Sequence, residues 1–454
     1  MALMKNFSLR NIEQGIWWLF LFVLPWQTRV IVWQADAQFI EWRSASVYLT
    51  DVLFVALMLL AVLRLMRNSQ VATFNFHRWD YALLALLGAS LVSVYWADHR
   101  AVAWFALVRL AQGVLLYAYV RWYALRRFSS DGSLMAFVLG VLAQMFLGLG
   151  QFAVQHDIGI RWAGETLLTP FMQGVAVFYD LAGTKILRAY GTLPHPNVLA
   201  AFAAFALAAV AYLSLRHSAA TVRRAFAVWA VPFAVLVWGL AATFSRTVIA
   251  ATVAAFAVPV GALALPRVSS GWANIAVLRR RVRNLFIVAV VAGVAFGALY
   301  WPQTLARMGI SGTEEAVQLR AFYNAAAFRS GDGLWGVNWF GTGIGNFVSW
   351  LHRSNPHLPE WQYQPAHNLY LLVYTEAGIA GTAALAVFCA LLVRGLWRAR
   401  NREPLVRWGM LALAGFVLFI ALFDHFFWTL QQGRLLFWMF WGCVAGVLEH
   451  ARKS

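Results

Sequence analysis

Twelve runs of mostly apolar residues, each roughly 17 to 25 long, constrain this chain more than any other feature, because that is the length that crosses the hydrocarbon core of a bilayer. They fall at about 12–27, 47–66, 79–97, 101–120, 133–155, 196–215, 225–243, 246–265, 284–302, 367–393, 405–423 and 434–449. Composition agrees with lipid surroundings: 62% of the residues are hydrophobic and 12% charged, against about 45–50% and 25% in soluble domains. The expected fold is an all-α polytopic membrane protein with about twelve transmembrane helices. The first run is expected to stay as an anchor, since it leads into further spans rather than a soluble domain behind a cleavage site. Cys389 and Cys443 both lie inside apolar runs, which points to packing rather than to a disulfide or a thiol-ligated metal.

Charge orients the spans. Of the 36 Lys and Arg residues, 23 fall on the side that holds both termini, among them Lys5, Arg10, the run Arg279, Arg280, Arg281, Arg283, and the trio Arg398, Arg400, Arg402. That side carries 5 of the 18 acids: Glu13, Asp80, Asp131, Glu403 and Glu449. Positive charge collects on the cytoplasmic side of membrane proteins, so both termini are expected in the cytoplasm. The net charge of +18 then serves lipid headgroups and implies no nucleic acid. The 23 Trp and 14 Tyr residues suit an interfacial belt.

Two connections on the far side are long, 156–195 and 303–366, and long ordered loops are usually functional. They divide the chain into 1–302 with the first nine spans, the 303–366 loop, and 367–454 with the last three. Within the large loop, Glu314 to Phe328 places Val317, Phe322, Ala325 and Phe328 on one face, as for an amphipathic helix on the membrane or over a cavity. The following Gly341, Gly343 and Gly345 lack the strand-to-helix context of a nucleotide fingerprint and read as a flexible loop leading to Phe347 and Trp350.

Three stretches at the outer boundary carry candidate chemistry. Arg188 to Asn197, RAYGTLPHPN, joins a cation, the His195 imidazole and an amide beside stiffening prolines; helix capping by His195 or Asn197 is the plainer reading. Arg246 sits at a hairpin tip in a long apolar stretch, where it reaches headgroup phosphates or a specific anion. His367 and Asn368 open the tenth span. An imidazole suits proton transfer near neutrality, and the positive end of a helix favours its neutral form; an interfacial hydrogen-bonded histidine is the alternative. Glu376, further into that span, is a structural partner or a second acid. Arg109 is the unambiguous ionisable residue within a span. No paired carboxylates, HExxH or GxSxG occur, and His352 and His357 lack a further ligand at metal spacing.

In this order and on one side of the membrane, Arg188-x-x-Gly-x-x-x-His-Pro-Asn197, Ser245-Arg246, the outer loop with Arg320 and GTGIGNF, His367-Asn368-x-x-Leu through Glu376-x-Gly-x-x-Gly381, and the tail from Asp424 to Trp438 resemble the O-antigen ligase and polymerase superfamily of lipid-linked glycan transferases. The resemblance covers the second half of the chain and implies a GT-C-like architecture in a bacterial inner membrane, with a long periplasmic loop between spans nine and ten. It implies an undecaprenyl diphosphate-linked glycan donor and a lipid A-core or other glycan acceptor, joined by inversion without metal or cofactor. His367 matches the family's proposed general base, and Arg188 and Arg246 match its diphosphate positions. Arg320, Lys185 and His195 are secondary candidates for glycan or diphosphate contact, with Asn197, Asn368 and Glu376 beside them. Within the superfamily, a polymerase or a protein-glycosylating ligase is the alternative to the O-antigen ligase; a transporter without chemistry is a third reading.

Overall fold

The computed structural model describes residues 9–36, 39–67, 74–216, 222–264, 275–309, 315–330, 337–399 and 403–450; Lys5, Glu314, Arg400 and Arg402 lie outside them. Each expected span falls on a helix: α1 Leu9–Val23, α2 Leu49–Arg67, α3 Arg78–Ser93, α4 Arg100–Tyr119, α5 Ser130–Val154, α6 Pro196–Arg216, α7 Val222–Ala242, α8 Arg246–Ala264, α9 Ile275–Leu299 and, after the large loop, α13 Leu369–Arg398, α14 Pro404–Ile420 and α16 Gln431–His450. Among the described residues of the loop lie the α-helices α10 Trp301–Met308, α11 Glu315–Phe328 and α12 Phe347–Ser354, and α15 Phe426–Thr429 precedes α16. Among the described residues, eight helices are long and apolar enough to cross a bilayer. The protein is an all-α membrane protein. Among the described residues its sheet is limited to two antiparallel hairpins, β1 Arg29–Gln34 with β2 Ser44–Tyr48, and β3 Val177–Tyr179 with β4 Lys185–Leu187.

α6 forms the centre. Its run of Ala, Leu, Val and Phe is apolar on all sides, the pattern of a helix surrounded by others, and most of it is buried. It packs against α5, α7, α8 and α14, and its first residues belong to the candidate site. At one end of the bundle, the same-side acids Glu13, Asp80 and Glu449 are paired with arginines. Arg121 meets Glu449 at 3.1 Å and also Asp80, Arg126 meets Glu449 at 2.7 Å, and Arg127 meets Glu13 at 2.7 Å. Such pairing is what allows ionisable groups to be buried at helix ends.

Two local departures from regular helix position the site. Between α7 and α8 the chain turns through Phe244, whose φ of 46° is left-handed although it carries a side chain. The strain is held by ring packing on Phe178 at 4.7 Å and Phe152 at 5.5 Å. In α13, Gly378 breaks the helix with φ 69°, and the glycine-bearing loop fills the gap. Thr342 N–H donates to the Thr375 carbonyl at 2.7 Å, Gly343 N–H to the Glu376 carbonyl at 3.2 Å, and Ile379 N–H to the Asn338 carbonyl at 2.9 Å. A side chain at Gly341 would run into the Glu376 carbonyl oxygen, and one at Gly378 into that of Trp339. The stretch expected to be a flexible loop is therefore a packed strap whose glycines permit backbone-to-backbone approach.

Helix α11 forms where expected. Tyr323 and Ala327 are buried against the protein, whereas Phe322, Ala325 and Phe328 of the apolar face read from the sequence are exposed.

Candidate functional site

The site is assembled where the starts of α6, α8 and α13 meet the segment between α14 and α16. Asn197, in the first turn of α6, joins its parts. Its Oδ1 accepts from Arg188 Nη2 at 2.9 Å and from Ser245 Oγ at 2.8 Å, and its Nδ2 donates to Asp424 Oδ2 at 2.8 Å. Arg188 is also held by Nε donating to the Thr243 carbonyl at 2.6 Å, the carbonyl just before the strained Phe244. Three residues distant in sequence, Arg188, Ser245 and Asp424, are thus locked through one amide. The capping reading holds for His195: its Nδ1 accepts the Asn197 N–H at 3.1 Å, which leaves the proton of the neutral ring on Nε2.

His367 enters from the large loop. Asn368 caps α13, its Oδ1 accepting the N–H groups of Tyr370 and Leu371 at 3.0 and 3.1 Å, so the position of the preceding residue is set by the helix start. The His367 ring lies stacked with Tyr323 of α11 at 5.8 Å and meets His425 edge-on at 5.1 Å. Tyr323 is fixed in turn by its hydroxyl donating to the Gln362 carbonyl at 2.6 Å. His425 is oriented by Thr429, 2.7 Å from its Nδ1.

The electrostatics are those of a site short of negative charge. Arg188 is 5% exposed, and among the described residues no carboxylate forms an ion pair with it; Asp424 reaches it through Asn197. Burial, reinforced by the charges of Arg307, Arg320 and Arg246, pushes the guanidinium down to about 9. Burial also lowers the imidazoles. His367 is pushed down to about 3, with the neighbouring His425 and Arg320 adding to burial; His195 and His425 are lowered for the same reason. Burial would raise Asp424, yet His425, His367, His195 and the Asn197 hydrogen bond overcome it and hold the carboxyl well below the usual range. At neutral pH the site therefore presents a cationic cluster, one ionised carboxylate, and neutral imidazoles able to accept a proton.

The other expected residues divide. Arg246, at the start of α8, is half-buried, donates to the Gly309 carbonyl, and acts electrostatically on Arg188. Arg320 acts on Arg188, His195, His367 and His425. Lys185 stands apart on β4, its ammonium 5.8 Å from the Tyr179 ring centre. Glu376 is buried, accepts the Trp428 indole N–H at 2.8 Å and lines a neighbouring cavity. Arg109, read from sequence as standing alone within its span, is paired with Asp51 at 2.6 Å. Sequence reasoning assigned no role to Asp424, His425, Tyr323 or Arg307. The adjacent Asp424-His425 pair between two apolar runs was the available signal. No known protein-family model matches the chain, and no curated protein matches it.

Proposed function

We propose that this protein is a membrane glycosyltransferase of the O-antigen ligase type, moving a glycan from undecaprenyl diphosphate to a lipid A-core acceptor on the periplasmic side of a bacterial inner membrane. In this reading the twelve helices that match the sequence runs all span, both termini are cytoplasmic, and the Arg188 cluster faces outward.

The observation that carries the reading is Arg188, a buried guanidinium without a carboxylate ion pair among the described residues, subject to the charges of Arg307, Arg320 and Arg246 and linked through Asn197 and Asp424 to a neutral histidine. A headgroup anchor has no need of burial, since long cationic side chains reach the interface by extending outward. A buried cation is costly unless an anion completes it, and a diphosphate is an anion that guanidinium forks match well. Departure of a lipid diphosphate builds negative charge on the leaving oxygen, which prepositioned guanidiniums stabilise.

The proposed step is a single displacement. The acceptor hydroxyl oxygen attacks the anomeric carbon, the bond from that carbon to the diphosphate oxygen breaks, and its electron pair leaves with the diphosphate. The hydroxyl proton passes to His367, and the anomeric centre inverts. Donor binding prepares the base, because the diphosphate offsets the positive charge of Arg320 and its neighbours and raises His367 toward neutrality. Asp424 stabilises the imidazolium that forms.

The test is reconstitution in lipid nanodiscs with undecaprenyl diphosphate-linked glycan and lipid A-core. Glycan joined to lipid A-core by the wild type and not by His367→Ala supports the proposal. Recovery of both substrates unchanged overturns it, and longer lipid-linked chains reassign it to the polymerase reaction.

A further inference from the structure

Beside the His367 site lies a cavity of about 100 Å³, lined in part by Arg434, Arg109, Gln431, Tyr48, Ser44 and Glu376. The two share a wall, since Thr429 lines the cavity and is 2.7 Å from His425 Nδ1. Arg434, in the first turn of α16, is 8% exposed. Among the described residues its guanidinium meets only neutral acceptors, Gln431 Oε1 at 2.7 Å and the Trp428 and Thr429 carbonyls at 3.3 and 3.5 Å, and its Nε has none. A guanidinium buried in this way lacks the counter-charge that would offset its desolvation.

The acids around the cavity are already engaged. The ionised groups whose charges act on Arg434 are Arg109 and Asp51, and Asp51 belongs to Arg109: its Oδ1 accepts from Arg109 Nη1 at 2.6 Å and from Gln112 Nε2 and Gln431 Nε2 at 2.7 Å. Two guanidiniums thus share one carboxylate, which leaves a positive charge in excess. Glu41 is closed by Arg29, whose Nη1 and Nη2 reach its two carboxylate oxygens at 2.5 and 2.7 Å. Glu376 accepts the Trp428 indole N–H at 2.8 Å and the backbone N–H groups of Gly345 and Phe347, and it is not among the groups whose charge acts on Arg434.

Size and charge together narrow the occupant. A cavity that holds benzene measures about 150 Å³, so this smaller one takes a compact group rather than a ring or a chain. An apolar group would leave the guanidinium desolvated, and a cation would meet two charges of its own sign. A small oxyanion accepts charge-assisted N–H bonds from a guanidinium. It also finds a donor in the Tyr48 hydroxyl, which accepts from Arg29 Nη1 at 3.0 Å and so keeps its own proton to give. We infer that this cavity is a second anion site, separate from Arg188, taking a single phosphate or carboxylate group at Arg434 and Arg109. The inference stands on the cavity and does not need the transferase reading. Such a group is either a free ion or a substituent of a substrate held in the adjoining site, and the two sources are separated by experiment.

The first measurement is thermal unfolding of the full chain in detergent, in phosphate, acetate or pyrophosphate against chloride at matched ionic strength. Arg188→Met serves as the reference, because it lacks the first anion site. Phosphate should raise its midpoint by about 2 °C or more, and pyrophosphate, too large for the cavity, should not. Arg434→Gln added to it should lose the phosphate shift. Ser44→Leu, which fills the cavity and leaves Arg434 in place, should lose it as well, and this variant decides if Arg434→Gln does not fold. The general salting effect of phosphate is common to all the variants and subtracts. The second measurement is turnover by the wild type with lipid A-core whose phosphate groups are intact or removed. An acceptor KM about tenfold higher without them, and no such difference in Ser44→Leu, places the anion on the substrate; a phosphate or acetate shift without that difference makes the site one for a free ion. A shift in a chain that transfers nothing keeps the anion site and removes the transferase reading. A shift that survives both Arg434→Gln and Ser44→Leu, or no shift together with an acceptor KM indifferent to phosphate groups, overturns the inference and leaves the transferase reading standing. No shift in a chain that transfers nothing overturns both.

Discussion

Replacing Arg188 by Met should leave stability close to that of the wild type while removing activity, because the native side chain is held in place for a ligand at the protein's own expense. The guanidinium is lowered from 12.5 to about 9, and at about 1.36 kcal/mol per unit keeping it charged in the folded state costs about 5 kcal/mol. The folded value lies below the unfolded one, so the penalty is complete below pH about 9 and lessens as pH rises toward 12.5. Methionine loses the hydrogen bonds to the Thr243 carbonyl and Asn197 Oδ1, about 1.5 to 3 kcal/mol each because the donor is charged. Asn197 Oδ1 keeps its bond from Ser245, while the Thr243 carbonyl loses its Arg188 donor. The two effects nearly offset, and the expectation at pH 7 is a variant within about 2 kcal/mol of wild-type stability and slower in transfer by about 100- to 1,000-fold. Thermal unfolding in detergent, with and without inorganic pyrophosphate, reads the stability and the ligand dependence together. The wild type should gain stability from pyrophosphate and the variant should not. A strongly destabilised Arg188→Met, together with a wild type indifferent to pyrophosphate, would make Arg188 a structural residue and remove the anion site.

Other perturbations have equally definite outcomes. Because His367 is lowered to about 3, the base in the free protein is unprotonated throughout the accessible range, so kcat/KM should stay flat from pH 8 down to about 5; an acid limb near 6.5 would show an ordinary, solvated histidine. Arg320→Met should move the His367 titration upward, by removing one of the charges that depress it, and this is read as an earlier acid limb. Arg246→Lys should lower turnover about tenfold or more, since a point charge does not reproduce a two-pronged contact, and full activity would return Arg246 to headgroup anchoring. Gly378→Ala should destabilise by about 2 to 4 kcal/mol through left-handed strain and collision with the Trp339 carbonyl, measured by thermal unfolding.

Much of the helical layout was legible in the sequence for physical reasons that can be traced residue by residue. Apolar runs located the helices because bilayer thickness fixes their length, and the Ser245-Arg246 interruption marked the α7 to α8 turn because a polar pair is costly in the middle of an apolar span. The three stretches carrying Arg188, Arg246 and His367 lie around one cluster, with Asn197 and Asp424 as connecting groups. What local pattern could not give was the partner of the other face of α11, where the buried Tyr323 stacks with His367. Nor could it account for the loop glycines, whose need for close approach is set by distant partners; Ile344 N–H, for example, donates to Ser93 Oγ at 3.0 Å across 251 residues. Of the two readings of Glu376, a structural partner or a second acid, sequence could not choose; the kinked α13 directs it to the Trp428 indole and the adjoining cavity.

Whether a lipid diphosphate completes the positive cluster at Arg188 is decided most directly by a structure with undecaprenyl diphosphate bound. Both phosphates are expected within ion-pair distance of Arg188 and Arg246, with the sugar-bearing oxygen turned toward His367. Diphosphate density elsewhere on the protein, with Arg188 still surrounded by Asn197 and the Thr243 carbonyl alone, would contradict the proposed donor site.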